Sequence, residues 1–111
     1  MTSLEQAKEI VKVMDKMKAK DIRLINIHEL SSLGDYFVIA SASNTTQVKA
    51  IADEIEDQMT QMDIEPNRVE GRQSAQWILL DYYDVMVHIF LEEARNFYNL
   101  ERLWSDAPQV D

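Results

Sequence analysis

The fold is decided by residues 77–91, WILLDYYDVMVHIFL, where two runs of apolar residues flank a polar tetrapeptide. Apolar and β-branched runs joined by so short a polar segment predict a β-hairpin. Whether the loop has two or four residues, the predicted register places Leu80 opposite Val85 and Trp77 opposite His88. The rest of the domain can be placed around this hairpin.

The two faces of the predicted hairpin differ in chemistry. Alternation puts Ile78, Leu80 and three aliphatic residues of the second strand on one face, which suits a position beneath helices. The reverse face carries Trp77, Leu79, Met86, His88 and Phe90. We expect the chain's own helices to leave this reverse face uncovered, because the two long helices lie on the other side. An uncovered apolar patch of roughly a few hundred Å² usually binds something, so a protein interface is predicted.

Helical and β patterns alternate along the remainder of the chain. A capping box beginning at Thr2 or Ser3 precedes a first amphipathic helix. Ser43 or Asn44 can cap a second helix, whose apolar residues recur every three or four positions. Strands outside the hairpin are predicted at 21–27, 35–41 and, weakly, 64–69, and a last helix at 92–104.

This order of elements predicts a single α/β domain over residues 1–104, followed by a polar tail at 105–111. The expected sheet is mixed and has about five strands. Two long helices are expected on one face, and a short helix at the C-terminal end of the domain.

Composition restricts the partners and the compartment. The chain has 111 residues, with 20 acidic and 11 basic side chains, a net charge of −9 and no cysteine. A net-acidic domain repels phosphate, so direct nucleic-acid binding is disfavoured and a basic protein partner is favoured. Disulfides, thiolate catalysis and cysteine-ligated zinc are excluded. With no run of 18 apolar residues and no leader-like start, we expect a cytoplasmic protein.

The residues that could carry catalysis or a metal form no recognised pattern. His28 and His88 lack ligand spacing, and neither a glycine-rich phosphate loop nor a nucleophile elbow is present. We therefore predict no enzyme activity, no cofactor and no metal. The imidazole of His88 is expected to be a hydrogen-bonded neighbour of the Trp77 indole rather than a catalyst.

Two further features leave alternatives open. Asp81 and Asp84 close one turn as like charges, so each needs a partner, either an internal arginine such as Arg95 or Arg102 or a cation of another protein. Trp77 either packs on the C-terminal helix or anchors an interface on the open sheet face.

Several short strings occur in a specific order along the chain. They are Ser31-Ser32, the run DYFVIA at 35–40, Glu70-Gly71, Trp77, Asp81-Tyr82, Asp84, the run VHIF at 87–90, Arg95, Tyr98, Leu100-Glu101, Leu103-Trp104 and Asp106-Ala107-Pro108. Together the strings resemble the ribosomal silencing factor (Iojap-related) family over nearly the whole chain. The family usually has glycine where this chain has Tyr83, so this turn must either hold a non-glycine residue at positive φ or open into a longer loop.

The resemblance implies a nucleotidyltransferase-like topology without the catalytic apparatus. It also implies a translational repressor that binds the large ribosomal subunit through its protein number fourteen and blocks association with the small subunit. The implied contact residues are Trp77, Leu79, Asp81, Tyr82, Asp84, His88, Phe90 and Glu70. Trp77 and Phe90 would supply anchor area, and the acids would meet lysine or arginine. The alternatives are a nucleotidyltransferase-like nucleotide- or metal-binding protein and a homodimeric interaction module.

Overall fold

The predicted order of elements is confirmed by a computed structural model, which describes residues 1–28, 34–98 and 110. The elements are α1 (Ser3–Lys16), β1 (Lys20–Asn26), β2 (Tyr36–Ala42), α2 (Thr45–Gln61), β3 (Arg68–Glu70), β4 (Trp77–Asp81), β5 (Val85–Leu91) and α3 (Glu92–Tyr98). The serine-rich turn at 31–33 and the predicted helix and tail beyond residue 98, apart from residue 110, lie outside the described residues.

The five strands form one mixed sheet in the order β1-β2-β5-β4-β3. Strands β2 and β5 pair in parallel, and the other three pairs are antiparallel. The parallel pair lies at the sheet centre, where nearly every residue of both strands is buried. The predicted mixed α/β architecture is therefore confirmed. Among the described helices, none is long and apolar enough to cross a membrane.

The two long helices begin where their capping residues predict and cover one face of the sheet. The Glu5 amide donates to the Thr2 hydroxyl at 3.1 Å, and the Glu5 carboxylate accepts from the Thr2 amide at 2.9 Å. Asn44 caps α2 by accepting from the Gln47 amide at 2.8 Å. The helices pack over the aliphatic hairpin face, as predicted, and the buried sheet residues beneath them include Ile78, Leu80, Val85, Val87 and Ile89.

The predicted hairpin register is wrong by two residues. Leu80 pairs with Val87 rather than Val85, and Trp77 pairs with Phe90. The centre of the turn lies one residue later in the chain than predicted. Moving the centre by one residue changes the cross-strand partner of each β4 residue by two positions. Because side chains alternate with a period of two, the shift leaves both faces of the hairpin as predicted.

Tyr83 is the cause of the shifted turn. Its φ is 69°, and the turn closes around it, with the Tyr82 amide donating to the Val85 carbonyl at 2.9 Å. The Asp81 carboxylate accepts from the Tyr83 amide at 2.8 Å and stabilises the turn. Of the two geometries left open, the chain adopts the tight turn with a non-glycine residue in the left-handed region.

Replacing Tyr83 with glycine is expected to raise the free energy of unfolding by about 1 kcal/mol, because a left-handed conformation costs an L-residue about 1–2 kcal/mol. The Tyr83 side chain is 65% exposed, so its loss removes little packing. Urea denaturation measures the change. Tyr83→Ala keeps the strain and is the control, with an expected change within about 0.5 kcal/mol. An equal gain in both variants would contradict the assignment of strain to this residue.

The prediction that the second sheet face is uncovered is wrong for most of that face. Its residues form a second buried cluster of Ile25, Ile27, Phe37, Ile39, Met86, Phe90 and Ala94. Helix α3 begins directly after β5 and brings Ala94 onto this face, and β1 and β2 contribute the aliphatic and aromatic neighbours. Among the described residues, Trp77, Leu79 and Leu91 are half-buried and pack against this cluster, and Trp77 and Leu79 lie near the sheet edge.

Candidate functional site

A groove at the β3–β4 edge is an accessible part of the second face. Glu70, Gly71, Trp77 and Leu79 line it, and its volume is about 290 Å³. Antiparallel pairing sets Glu70 beside Leu79, and Trp77 lies two residues from Leu79 on the same face of β4. We call this feature the Trp77 groove.

Gly71 allows the chain to pass close to β4 at the groove. Its φ is 84°, and a Cβ atom there would lie 1.9 Å from the Trp77 carbonyl oxygen. No side chain fits that space, and the left-handed conformation favours glycine as well. In the sequence, Gly71 stands out only as part of the Glu70-Gly71 string. The chain has two glycines, and this small number is the sequence feature that could have indicated a special backbone conformation at Gly71.

The Trp77 indole is held from two directions. Its ring stacks on Phe90 with centroids 5.0 Å apart, and its Nε1–H donates to His88 Nδ1 at 3.0 Å. Leu79, not Trp77, is the direct cross-strand partner of His88, so this hydrogen bond joins diagonal neighbours. The predicted contact between indole and imidazole is confirmed, although the predicted pairing is not.

His88 is a neutral, buried histidine beneath the groove. It is 4% exposed, and the Phe37 ring lies 4.7 Å from its ring centroid. Desolvation lowers the pKa of His88 to about 3. Because Nδ1 accepts the indole proton, Nε2 carries the hydrogen, and it has no hydrogen-bond partner among the described residues. His88 therefore stays neutral near pH 7 and lies beneath the surface, and its role as a contact residue stays an untested prediction.

Acid destabilises the folded chain through His88. The folded-state pKa lies below the unfolded value of about 6.5, so the unfolded chain binds the proton first. The contribution of neutral His88 to the free energy of unfolding is fully present above pH about 6.5. It decreases as the pH falls toward 3, with a slope of up to about 1.4 kcal/mol per pH unit. The stability difference between the parent and His88→Leu, measured by urea denaturation from pH 7 to pH 5, should shift in favour of the variant as pH falls. A constant difference would contradict the depressed pKa.

Asp81 is paired within the chain. It is 7% exposed, and its carboxylate accepts from Arg68 Nε at 3.1 Å and from the Asn67 side-chain amide at 3.4 Å. The internal cation is therefore Arg68, not Arg95, which donates to the Ser41 hydroxyl at 3.1 Å. Arg102 lies outside the described residues. The prediction that Asp81 meets a partner's lysine or arginine is not supported, because Arg68 already neutralises this buried carboxylate.

The outer edge of the groove keeps a negative charge. Glu70 is exposed, and its carboxylate lies 3.6 Å from Arg68 Nη1, beyond hydrogen-bond length. Arg68 thus lies between two acids, Asp81 and Glu70, and the three side chains carry a net charge of −1. Asp84 is exposed at the opposite end of β4, where its carbonyl accepts from the amides of Asp35 and Tyr36.

Two predicted contact residues are buried in the core. Tyr82 is 3% exposed and belongs to the cluster beneath the long helices, because it points to the same side as Leu80. Burial, with Glu56 and Glu65 nearby, raises the pKa of Tyr82. Phe90 is 0% exposed beneath the indole. Burial keeps both side chains away from the surface of the folded chain, and their role as contact residues stays an untested prediction.

A second polar cluster lies at the opposite edge of the sheet. His28 Nδ1 lies 2.6 Å from Asp35 Oδ1, and the Ser3 hydroxyl donates to Asp35 Oδ2 at 3.1 Å. One carboxylate and one imidazole do not make a metal site. No group of three or more histidine or acidic residues is placed to hold a metal ion within residues 1–28, 34–98 and 110.

Comparisons with known proteins place the chain in a family. The family model described as "Ribosomal silencing factor during starvation" matches residues 1–111. The chain is 42% identical over 97 residues to the ribosomal silencing factor RsfS of Bacillus subtilis, covering 87% of this chain and 82% of that protein. It is 38% identical over 111 residues to RsfS of Halalkalibacterium halodurans, covering 100% and 95%.

A solved structure has the same fold. The crystal structure of a protein from Chromobacterium violaceum matches with a TM-score of 0.92 at 30% identity, covering 95% of this chain and 88% of that chain. The resemblance drawn from the ordered strings is therefore confirmed, whereas the nucleotidyltransferase-like topology stays a prediction. The chain belongs to the ribosomal silencing factor family.

Proposed function

We propose that this protein represses translation by binding the large ribosomal subunit through protein number fourteen, which blocks joining of the small subunit. Membership of the ribosomal silencing factor family is the observation that carries the proposal. The family resemblance suggests the specific partner. The Trp77 groove suggests where contact is made.

The groove has the composition of an interface centre. Trp77 and Leu79 offer half-buried apolar surface, and Glu70 adds an exposed carboxylate at its edge. Interface hot spots are enriched in tryptophan and lie in pockets surrounded by polar residues. A stable interface buries about 800 Å² on each partner, so contact must extend from the groove onto the surrounding surface.

Charge supports a basic protein partner within an RNA-rich particle. The chain carries a net charge of −9 and therefore repels RNA phosphates. A basic ribosomal protein attracts the same charge, which speeds docking and rejects wrong partners more than it adds affinity. The proposed site of action is accordingly a ribosomal protein surface in the cytoplasm.

Size supports a steric mechanism. The chain extends 34 × 33 × 23 Å, so one copy seated on the joining face would separate the subunits by far more than a contact distance. Repression in this mechanism needs no chemical step. It needs only a residence time on the large subunit that exceeds the time between encounters with small subunits.

A sucrose gradient of the protein with separated ribosomal subunits tests the proposal. We expect the protein to sediment with the large subunit and to deplete the joined particle. Sedimentation with the small subunit, or undiminished joining at saturation, would contradict it. Calorimetry with isolated protein number fourteen tests the partner. Measuring the dimer population with and without that protein shows whether a homodimer and the partner exclude each other.

A further inference from the structure

We propose that His88 is a positioning residue, which holds the Trp77 indole in the orientation that a binding partner contacts. The inference rests on the proposed function, because it concerns how the Trp77 groove is presented. It assigns to His88 a role through Trp77 rather than a direct contact.

The first support is the geometry around the indole. The Trp77 Nε1–H donates to His88 Nδ1 at 3.0 Å, while Phe90 stacks against the ring at 5.0 Å. Stacking alone permits the indole to slide or rotate in its own plane. The hydrogen bond adds a restraint within that plane, because a planar donor and a planar acceptor fix direction as well as distance.

The second support is that the imidazole itself is rigid. It is 4% exposed, lies 4.7 Å from the Phe37 ring and stacks on Phe90 at 6.3 Å. Its unprotonated Nδ1 keeps a lone pair directed at the indole, since burial opposes protonation. Both ends of the hydrogen bond are thus fixed to the same sheet.

The third support is a buried hydrogen-bond donor of His88 that destabilises the fold. The Nε2–H of His88 is buried and has no partner among the described residues, and a buried donor without an acceptor destabilises a fold. An aliphatic side chain such as leucine would pack on Phe37 and Phe90 without that cost. Within the part of the chain that the structure describes, the acceptor for the Trp77 Nε1–H is a contribution that an imidazole makes and leucine cannot.

An ordered indole binds more tightly because its rotational freedom is lost before the partner arrives. Ordering one large side chain on binding weakens affinity by about twofold to tenfold. We therefore expect His88→Leu to bind large subunits about twofold to tenfold more weakly than the parent. Its melting temperature should change little, because the substitution removes the buried Nε2–H but also removes the His88 acceptor of the Trp77 Nε1–H.

The experiment compares His88→Leu with His88→Asn, whose side-chain oxygen can stand in place of Nδ1. Met86→Leu is the matched control, because it alters packing on the same strand and face without removing an acceptor. Two-dimensional NMR follows the indole N–H signals, and Trp77→Phe identifies the Trp77 signal among the two tryptophans of the chain. Hydrogen exchange and ¹⁵N relaxation of that signal report how firmly the indole is held.

The expected result is faster exchange and lower order of the Trp77 indole in His88→Leu, with weaker co-sedimentation. Both properties should recover at least partly in His88→Asn and stay unchanged in Met86→Leu. The inference is overturned if His88→Leu leaves the indole as ordered as in the parent, or loosens it without weakening binding. If the parent itself fails to sediment with large subunits, the proposed function fails, which is a separate and distinguishable outcome.

Discussion

Replacing Phe90 with alanine lowers the free energy of unfolding by about 3–5 kcal/mol, the usual cost of removing a buried phenylalanine ring. Phe90 is 0% exposed, and it lies between the Trp77 indole and the second buried cluster. The ring is too large for the surrounding strands to close the cavity. Urea denaturation followed by far-ultraviolet circular dichroism measures the loss.

Phe90→Leu is the matched variant for that measurement. Leucine keeps most of the volume and should cost less than about 1.5 kcal/mol. If Phe90→Ala costs less than about 1 kcal/mol, the ring is not enclosed, and its original assignment as a contact residue regains support. If both variants are equally destabilised, volume is not the cause.

Under the proposed function, replacing Trp77 with alanine is expected to weaken binding to the large subunit by about 2 kcal/mol or more, which corresponds to roughly thirtyfold in affinity. The indole is the largest half-buried apolar group of the groove, and its partner-facing area is lost on truncation. Co-sedimentation at a series of protein concentrations measures the change. Circular dichroism must show that the variant is folded.

Tyr83→Ala serves as the control for exposed aromatic area, because Tyr83 is 65% exposed and does not line the groove. It should bind as the parent does. Trp77→Phe should lie between parent and alanine, since it keeps a ring and loses the indole N–H. A folded Trp77→Ala that sediments like the parent would contradict the assignment of the groove.

The sequence was sufficient for the order of elements and for the two faces of the hairpin. These features depend on local patterns: helical spacing, caps at Thr2 and Asn44, and runs with a period of two. Such patterns involve residues close together in sequence, so they can be recognised without knowing the tertiary fold. The hairpin register was not accessible, because Tyr83 adopts a conformation that sequence rules assign to glycine. The faces were still right, because an even shift preserves alternation.

The candidate site was only partly predictable. Trp77, Leu79 and Glu70 were placed together correctly, whereas Phe90 and His88 proved to be buried beneath them. Burial depends on which strands flank β5 and on where α3 lies, and these are long-range arrangements that no local pattern encodes. Arg68 was missed as the partner of the turn acid because strand β3 has only three residues, too few for a period to show.

Strand β5 lies between β2 and β4, and this position has a consequence for synthesis of the chain. The sheet cannot be completed until residue 91 has left the exit tunnel, because the strand that joins its two halves is made last of the five. Until then β2 exposes an unpaired apolar edge, which is prone to association with other nascent chains. A member of the ribosomal silencing factor family thus completes its sheet only after all five strands have been translated.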